Sequence, residues 1–179
     1  APAVDVMKRH PVPEAKALKD AEKVVRELYK AEYAKKTSAD RAAFAKALLQ
    51  LAARTRDDPA GSWVLCRDAL DIAVQVGEVQ TALAAVDETA RTFDVDAGAL
   101  RMTVLAAVGK TAKQPLEFKT LAESMISLVE ELIATDQYDA ADKAAVQAQQ
   151  YARRSGDVAL ALRVTSRAKD VAEAKTRFV

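Results

Sequence analysis

The connections between helix-periodic segments are what most limit the fold of this chain. Most are only two to five residues long, and links that short force each helix back against the one before it. The segments are helical by composition as well as by period. Alanine occurs 39 times in 179 residues, and ordering it costs no side-chain entropy, which makes it the best helix former. The five glycines and five prolines fall mostly between the periodic segments. No run alternates apolar and polar residues with the period of two that marks a strand.

Eight helices are predicted, at about 13–35, 39–55, 59–76, 79–93, 96–112, 115–135, 138–154 and 157–176. Pro13 opens the first, which carries Leu18, Ala21, Val25, Leu28 and Tyr29 at three- and four-residue spacing. Thr37 or Ser38 caps the second, which presents Phe44, Leu48, Leu51 and Ala52. Asp58-Pro59 is a side-chain cap followed by proline at the first helical position. Gly77 and Gly156 stand where a helix end needs a left-handed residue. Asp94 or Asp96 caps the fifth helix, and Pro115 opens the sixth, with Leu121, Met125, Leu128 and Leu132 on one stripe. The expected architecture is all-α: four stacked antiparallel hairpins forming one domain over 13–179, behind a flexible tail at 1–12. A compact closed helical bundle is the alternative.

The turns carry a repeat. Gly77-Glu78-Val79-Gln80-Thr81-Ala82-Leu83, Asp136-Gln137-Tyr138-Asp139-Ala140-Ala141-Asp142 and Gly156-Asp157-Val158-Ala159-Leu160-Ala161-Leu162 share one plan. Each has a turn residue, a polar residue, an apolar anchor and an alanine three positions after the anchor. Offsets of 59 and 20 residues imply one helix per step and a hairpin about every 40. This pattern resembles the turn of the tetratricopeptide repeat. Leu128 and Leu132 match its apolar first-helix positions, and Ala141 and Ala148 its small second-helix positions. The stretch 142–170 fits through Ala148, Ala152, Ala161 and Ala168; in 63–93, Thr89 replaces the second alanine. Residues 1–57 show no repeat, so the first two helices either cap the stack or close it. The stretches Glu27-Leu28-Tyr29-Lys30, Glu32-Tyr33-Ala34-Lys35-Lys36-Thr37 and Arg91-Thr92-Phe93-Asp94-Val95-Asp96 also resemble an alanine-rich helical module of large bacterial multidomain proteins. Such modules often stand near an export signal or beside an effector domain, so the resemblance implies an accessory role.

Charge and chemistry narrow the function. Net charge is +1; residues 1–57 carry +5, 58–110 carry −4, and 111–179 balance. Without a Lys/Arg cluster, no specific nucleic-acid binding is expected. No apolar stretch approaches the roughly 20 residues that span a bilayer. The start Ala1-Pro2-Ala3 fits a processed mature end or a segment of a longer protein, and export to the periplasm or envelope is favoured over the cytoplasm. One histidine, His10, and one cysteine, Cys66, leave no usual zinc set and only a remote nucleophile pair. No phosphate-cradling glycine loop is present. Asp68 with Asp71, Asp139 with Asp142, and Glu130-Glu131 read as solvated helix surface, with Arg67 and Lys143 to neutralise the first two pairs.

No catalytic residue, metal or cofactor is therefore expected. The leading reading is a non-catalytic module binding a protein or peptide in a groove lined by the first helix of each hairpin. Arg67, Asp71 and Gln75 are the groove candidates. Trp63, Tyr29 and Tyr33 are aromatic contact candidates, with packing as the favoured role of each. A spacer that presents another domain without binding a ligand is the second reading, and an enzyme using helix carboxylates the third.

Overall fold

The computed structural model describes residues 9–178, and it is helical throughout apart from turns and one isolated β-bridge. Residues 1–8 of the expected tail lie outside the described residues. Two compact units divide between Ala97 and Gly98.

The first unit contains α1 (Ala15–Leu28), α2 (Lys30–Tyr33), α3 (Ser38–Arg54), α4 (Pro59–Val76) and α5 (Val79–Thr92). Helix α4 is its centre, with α1, α3 and α5 all packed against it. Val64, Leu65, Cys66, Ala69, Ile72 and Ala73 are buried, so apolar residues surround much of this helix, as an interior helix requires. Local chemistry sets its ends. The Asp58 carboxylate accepts from the Gly61 N–H at 3.0 Å, and Gly77 ends the helix with φ at 78°, a left-handed value that costs glycine no Cβ clash. At α3, Thr37 Oγ1 accepts from the Asp40 N–H at 3.1 Å.

The first predicted helix requires correction. The expected single helix over 13–35 is broken at Tyr29 (φ −110°, ψ 22°) into α1 and α2, which makes nine helices rather than eight among the described residues. Tyr29 and Tyr33 both face Phe44 of α3, with ring centroids 6.2 and 4.9 Å away. Seating two large rings on one buried phenylalanine offsets a local departure from helical geometry. Near the start of the described chain, the His10 N–H donates to Thr92 O at 2.8 Å and Asp94 N–H donates to His10 O at 2.9 Å.

The second unit contains α6 (Ala97–Thr111, its first residue on the boundary), α7 (Pro115–Ala134), α8 (Tyr138–Ser155) and α9 (Val158–Phe178). Helix α8 packs against both α7 and α9. Its face toward them is built on Ala141, Ala144, Ala145, Ala148 and Ala152, all buried, and small side chains let helix axes approach closely. Opposite them lie Leu121, Met125, Leu128 and Leu132 of α7 and Leu160, Val164 and Val171 of α9. Tyr151 ties α6 into this core: its ring stacks on Phe118, centroids 6.1 Å apart, and its hydroxyl donates to Leu105 O at 3.2 Å. The α8–α9 turn uses Gly156 at φ 71°, and the α7–α8 turn uses Asp136 at φ 57°, a region aspartate tolerates better than most residues.

Candidate functional site

Arg67, Asp71 and Gln75 share one face of α4 by their four-residue spacing, but two of them are bound to neighbouring helices. The Arg67 guanidinium bonds the Asp68 carboxylate at 3.0 and 3.2 Å and reaches Glu22 of α1 at 3.4 Å. Gln75 Oε1 accepts a hydrogen bond from Arg41 of α3. Asp71 is exposed; reduced hydration first, and the Asp68 charge second, hold its carboxyl above the usual range.

Asp68 is not the solvated residue its helix-face pairing suggested. It is 4 % exposed, and Tyr33 Oη donates to its Oδ2 at 2.5 Å. Arg26 lies 5.0 Å over the Tyr33 ring and bonds Glu22 at 3.2 Å. Glu22 sits below the ordinary carboxylate range, first through the Arg26 hydrogen bond and then through the Arg67 charge. Five polar side chains thus stitch α1, α2 and α4 together. Trp63 meets Phe93 edge-on at 4.9 Å. Together with Tyr29 and Tyr33 on Phe44, this places the three aromatic candidates in packing contacts.

The remaining chemical candidates are equally engaged. Cys66 is buried, and burial pushes its thiol up to about 11, far from the thiolate a nucleophile needs. Asp139 and Asp142 both meet Lys175 of α9, at 2.8 and 3.4 Å. No group of three or more metal-ligating side chains gathers among the described residues. Nor, among them, is any helix long and apolar enough to cross a membrane.

Of the candidates, Tyr33 also lines a cleft of about 400 Å³ with Lys23, Arg26, Glu27 and Lys30; a larger opening lies elsewhere. In the second unit, a cleft of about 720 Å³ runs between α7 and α9. Glu123 and Glu130 line it from α7; Arg163, Ser166, Arg167 and Asp170 line it from α9. Ile126 and Ser127 lie between the two glutamates. Arg167 reaches Glu130 at 3.4 Å and Asp170 at 3.8 Å, both long contacts, while its buried Nε has no acceptor. Arg163 is exposed and forms no ion pair among the described residues. At the N-terminal end of the cleft, Lys119 and Asp157 pair at 2.8 Å. The first unit has a second, smaller cleft of about 510 Å³ between α3 and α5. One wall of it is the buried Glu88, held by Arg56 and Arg91 at 2.7 Å each.

Sequence reasoning noted Glu130 only as surface and passed over Arg163, Ser166 and Arg167. Their spacing of three and four does place them on one helical stripe. Only packing decides that this stripe faces a parallel row of glutamates. Compared with known proteins, the chain matches no family model, no curated protein and no solved structure.

Proposed function

We propose that the chain is a non-catalytic interaction module with helical hairpins stacked in the manner of tetratricopeptide repeats, and that its second unit binds a protein segment in the α7–α9 cleft. The observation that carries this reading is the placement of α7 and α9. Helix α8 packs against both, and a polar cleft opens between them. In a hairpin solenoid that inner surface is where ligands lie. In the first unit α4 likewise packs against both α3 and α5 with the smaller cleft between them, while α1 packs on α4, where Glu22 meets Arg67.

A photo-crosslinking residue at Ser166 or Ser127 tests the proposal, with the exposed Gln150 of α8 as control. Discrete adducts with a partner from the two cleft positions, and none from position 150, are expected. Equal labelling from position 150, or none from the cleft, removes the assignment. The spacer reading predicts the second of these outcomes.

A further inference from the structure

The α7–α9 cleft has two walls of opposite charge, and this limits what can lie in it. Glu123 and Glu130 stand on the α7 wall, two turns apart. Arg163 and Arg167 stand on the α9 wall, one turn apart, with the Ser166 hydroxyl beside them. Arg163 has no carboxylate partner among the described residues. Arg167 is held only by long contacts, and its Nε hydrogen has no acceptor. The α9 wall thus presents two arginines, with Asp170 one turn beyond them beside Arg167, and the α7 wall presents two carboxylates.

We infer that the cleft binds an extended peptide of alternating charge, with acidic side chains on Arg163 and Arg167 and the basic side chains between and beside them facing the α7 wall that carries Glu123 and Glu130. The inference rests on the reading of the cleft as a binding groove and adds the ligand chemistry. Extended chain geometry supplies the match. Successive side chains of a strand point to opposite sides, so neighbouring residues of a peptide along the groove face opposite walls. Side chains two apart are about 7 Å apart along a strand, close to the roughly 6 Å rise between residues four apart on a helix. Arg163 and Arg167 can thus receive acidic residues at alternate peptide positions. The facing glutamates repel a uniformly acidic peptide, and the arginines repel a basic one. Charge repulsion of this kind sets specificity more than affinity.

The test is selection from a phage-displayed library of random short peptides against the full chain and against Arg163→Glu. Arg163 is exposed and forms no ion pair among the described residues, so the variant should fold, and its helical circular dichroism and melting curve verify that. Peptides selected on the wild-type chain should be enriched in acidic residues immediately followed or preceded by basic ones. They should bind Arg163→Glu at least about tenfold more weakly, about 1.4 kcal/mol, and selection on the variant should lose the acidic preference. A wild-type pool without adjacent opposite charges, or one that binds the variant equally well, overturns the ligand chemistry while leaving the groove in place. If no peptide is selected and position 166 yields no crosslink, the groove reading falls as well.

Discussion

Tyr33 Oη donates a 2.5 Å hydrogen bond to Asp68 Oδ2, and this contact joins the short helix α2 to the central helix α4. The other oxygen of Asp68 is held by Arg67, so a buried carboxylate is satisfied from two sides. Tyr33→Phe removes one donor and leaves the charge in place. An unsatisfied buried group costs about 1–3 kcal/mol. Tyr29→Phe is the control, because the Tyr29 ring packs on Phe44 while its hydroxyl has no hydrogen bond among the described residues. Urea denaturation should show a clear loss for Tyr33→Phe and little change for Tyr29→Phe. Equal effects would mean that the hydrogen bond contributes nothing beyond the ring.

The same hydroxyl predicts an alkaline limit. Burial first, then the hydrogen bond to Asp68 and its charge, push Tyr33 up from its ordinary range, and burial does the same to Tyr151. In the unfolded chain tyrosine ionises near pH 10. A raised folded-state value means the folded chain keeps these protons where the unfolded chain sheds them, so stability is fully present below about pH 10 and is lost above it. Melting temperature should fall above that pH, and tyrosinate absorbance from these two residues should lag behind that of free tyrosine. Lysine deprotonation also weakens ion pairs there, so the informative quantity is the difference from the variants. Tyr33→Phe and Tyr151→Phe should each show a shallower alkaline decline than the wild-type chain.

Gly109 tests the α6–α8 contact. In an open helix, alanine in place of glycine stabilises by about 1 kcal/mol. Here a Cβ at position 109 would stand 2.5 Å from Tyr151 Cζ. The phenol cannot swing away freely, since it is buried, stacked on Phe118 and bonded to Leu105 O. Gly109→Ala is therefore expected to destabilise by about 1–3 kcal/mol, the usual range for overpacking. Combining it with Tyr151→Leu should recover part of the loss. A stabilised single variant would show that α6 and α8 are not in this close contact.

Glu88 is 5 % exposed and pairs with Arg56 and Arg91. Breaking a fully buried ion pair costs about 3–5 kcal/mol, but both arginines here are partly or largely exposed and recover hydration. Glu88→Ala is expected to cost about 2 kcal/mol after that discount. Arg91→Ala, which removes the more exposed partner, should cost under about 1 kcal/mol. Chemical denaturation of both variants gives the ranking; the reverse order would show that Arg91 is the principal partner.

Features fixed within three or four residues were legible in advance. Asp58 with Gly61, Thr37 with Asp40, and the left-handed glycines at 77 and 156 follow from backbone donors and dihedral limits that lie inside the local sequence. The break at Tyr29 was not legible; the ring it packs against, Phe44, lies fifteen positions away in sequence and on another helix. Asp68 shares a helix face with Asp71, and nothing on that helix says that α2 will bring a tyrosine over one of them. The cleft residues were missed for the same reason: a polar stripe on α9 looks like any solvated stripe until α7 places carboxylates opposite it.

By itself, the sequence determined that the chain is helical, where most of its helices begin and end, and that their connections are short. Helix propensity, capping and turn chemistry act over one or two turns of chain, so residue order alone specifies them. Tertiary structure decided which polar groups are buried with partners and which remain open: Asp68 under Tyr33 and Arg67, Glu88 between two arginines, Arg163 facing a cleft. Burial and pairing depend on which helix faces meet, and that is set by side-chain packing between segments far apart in sequence.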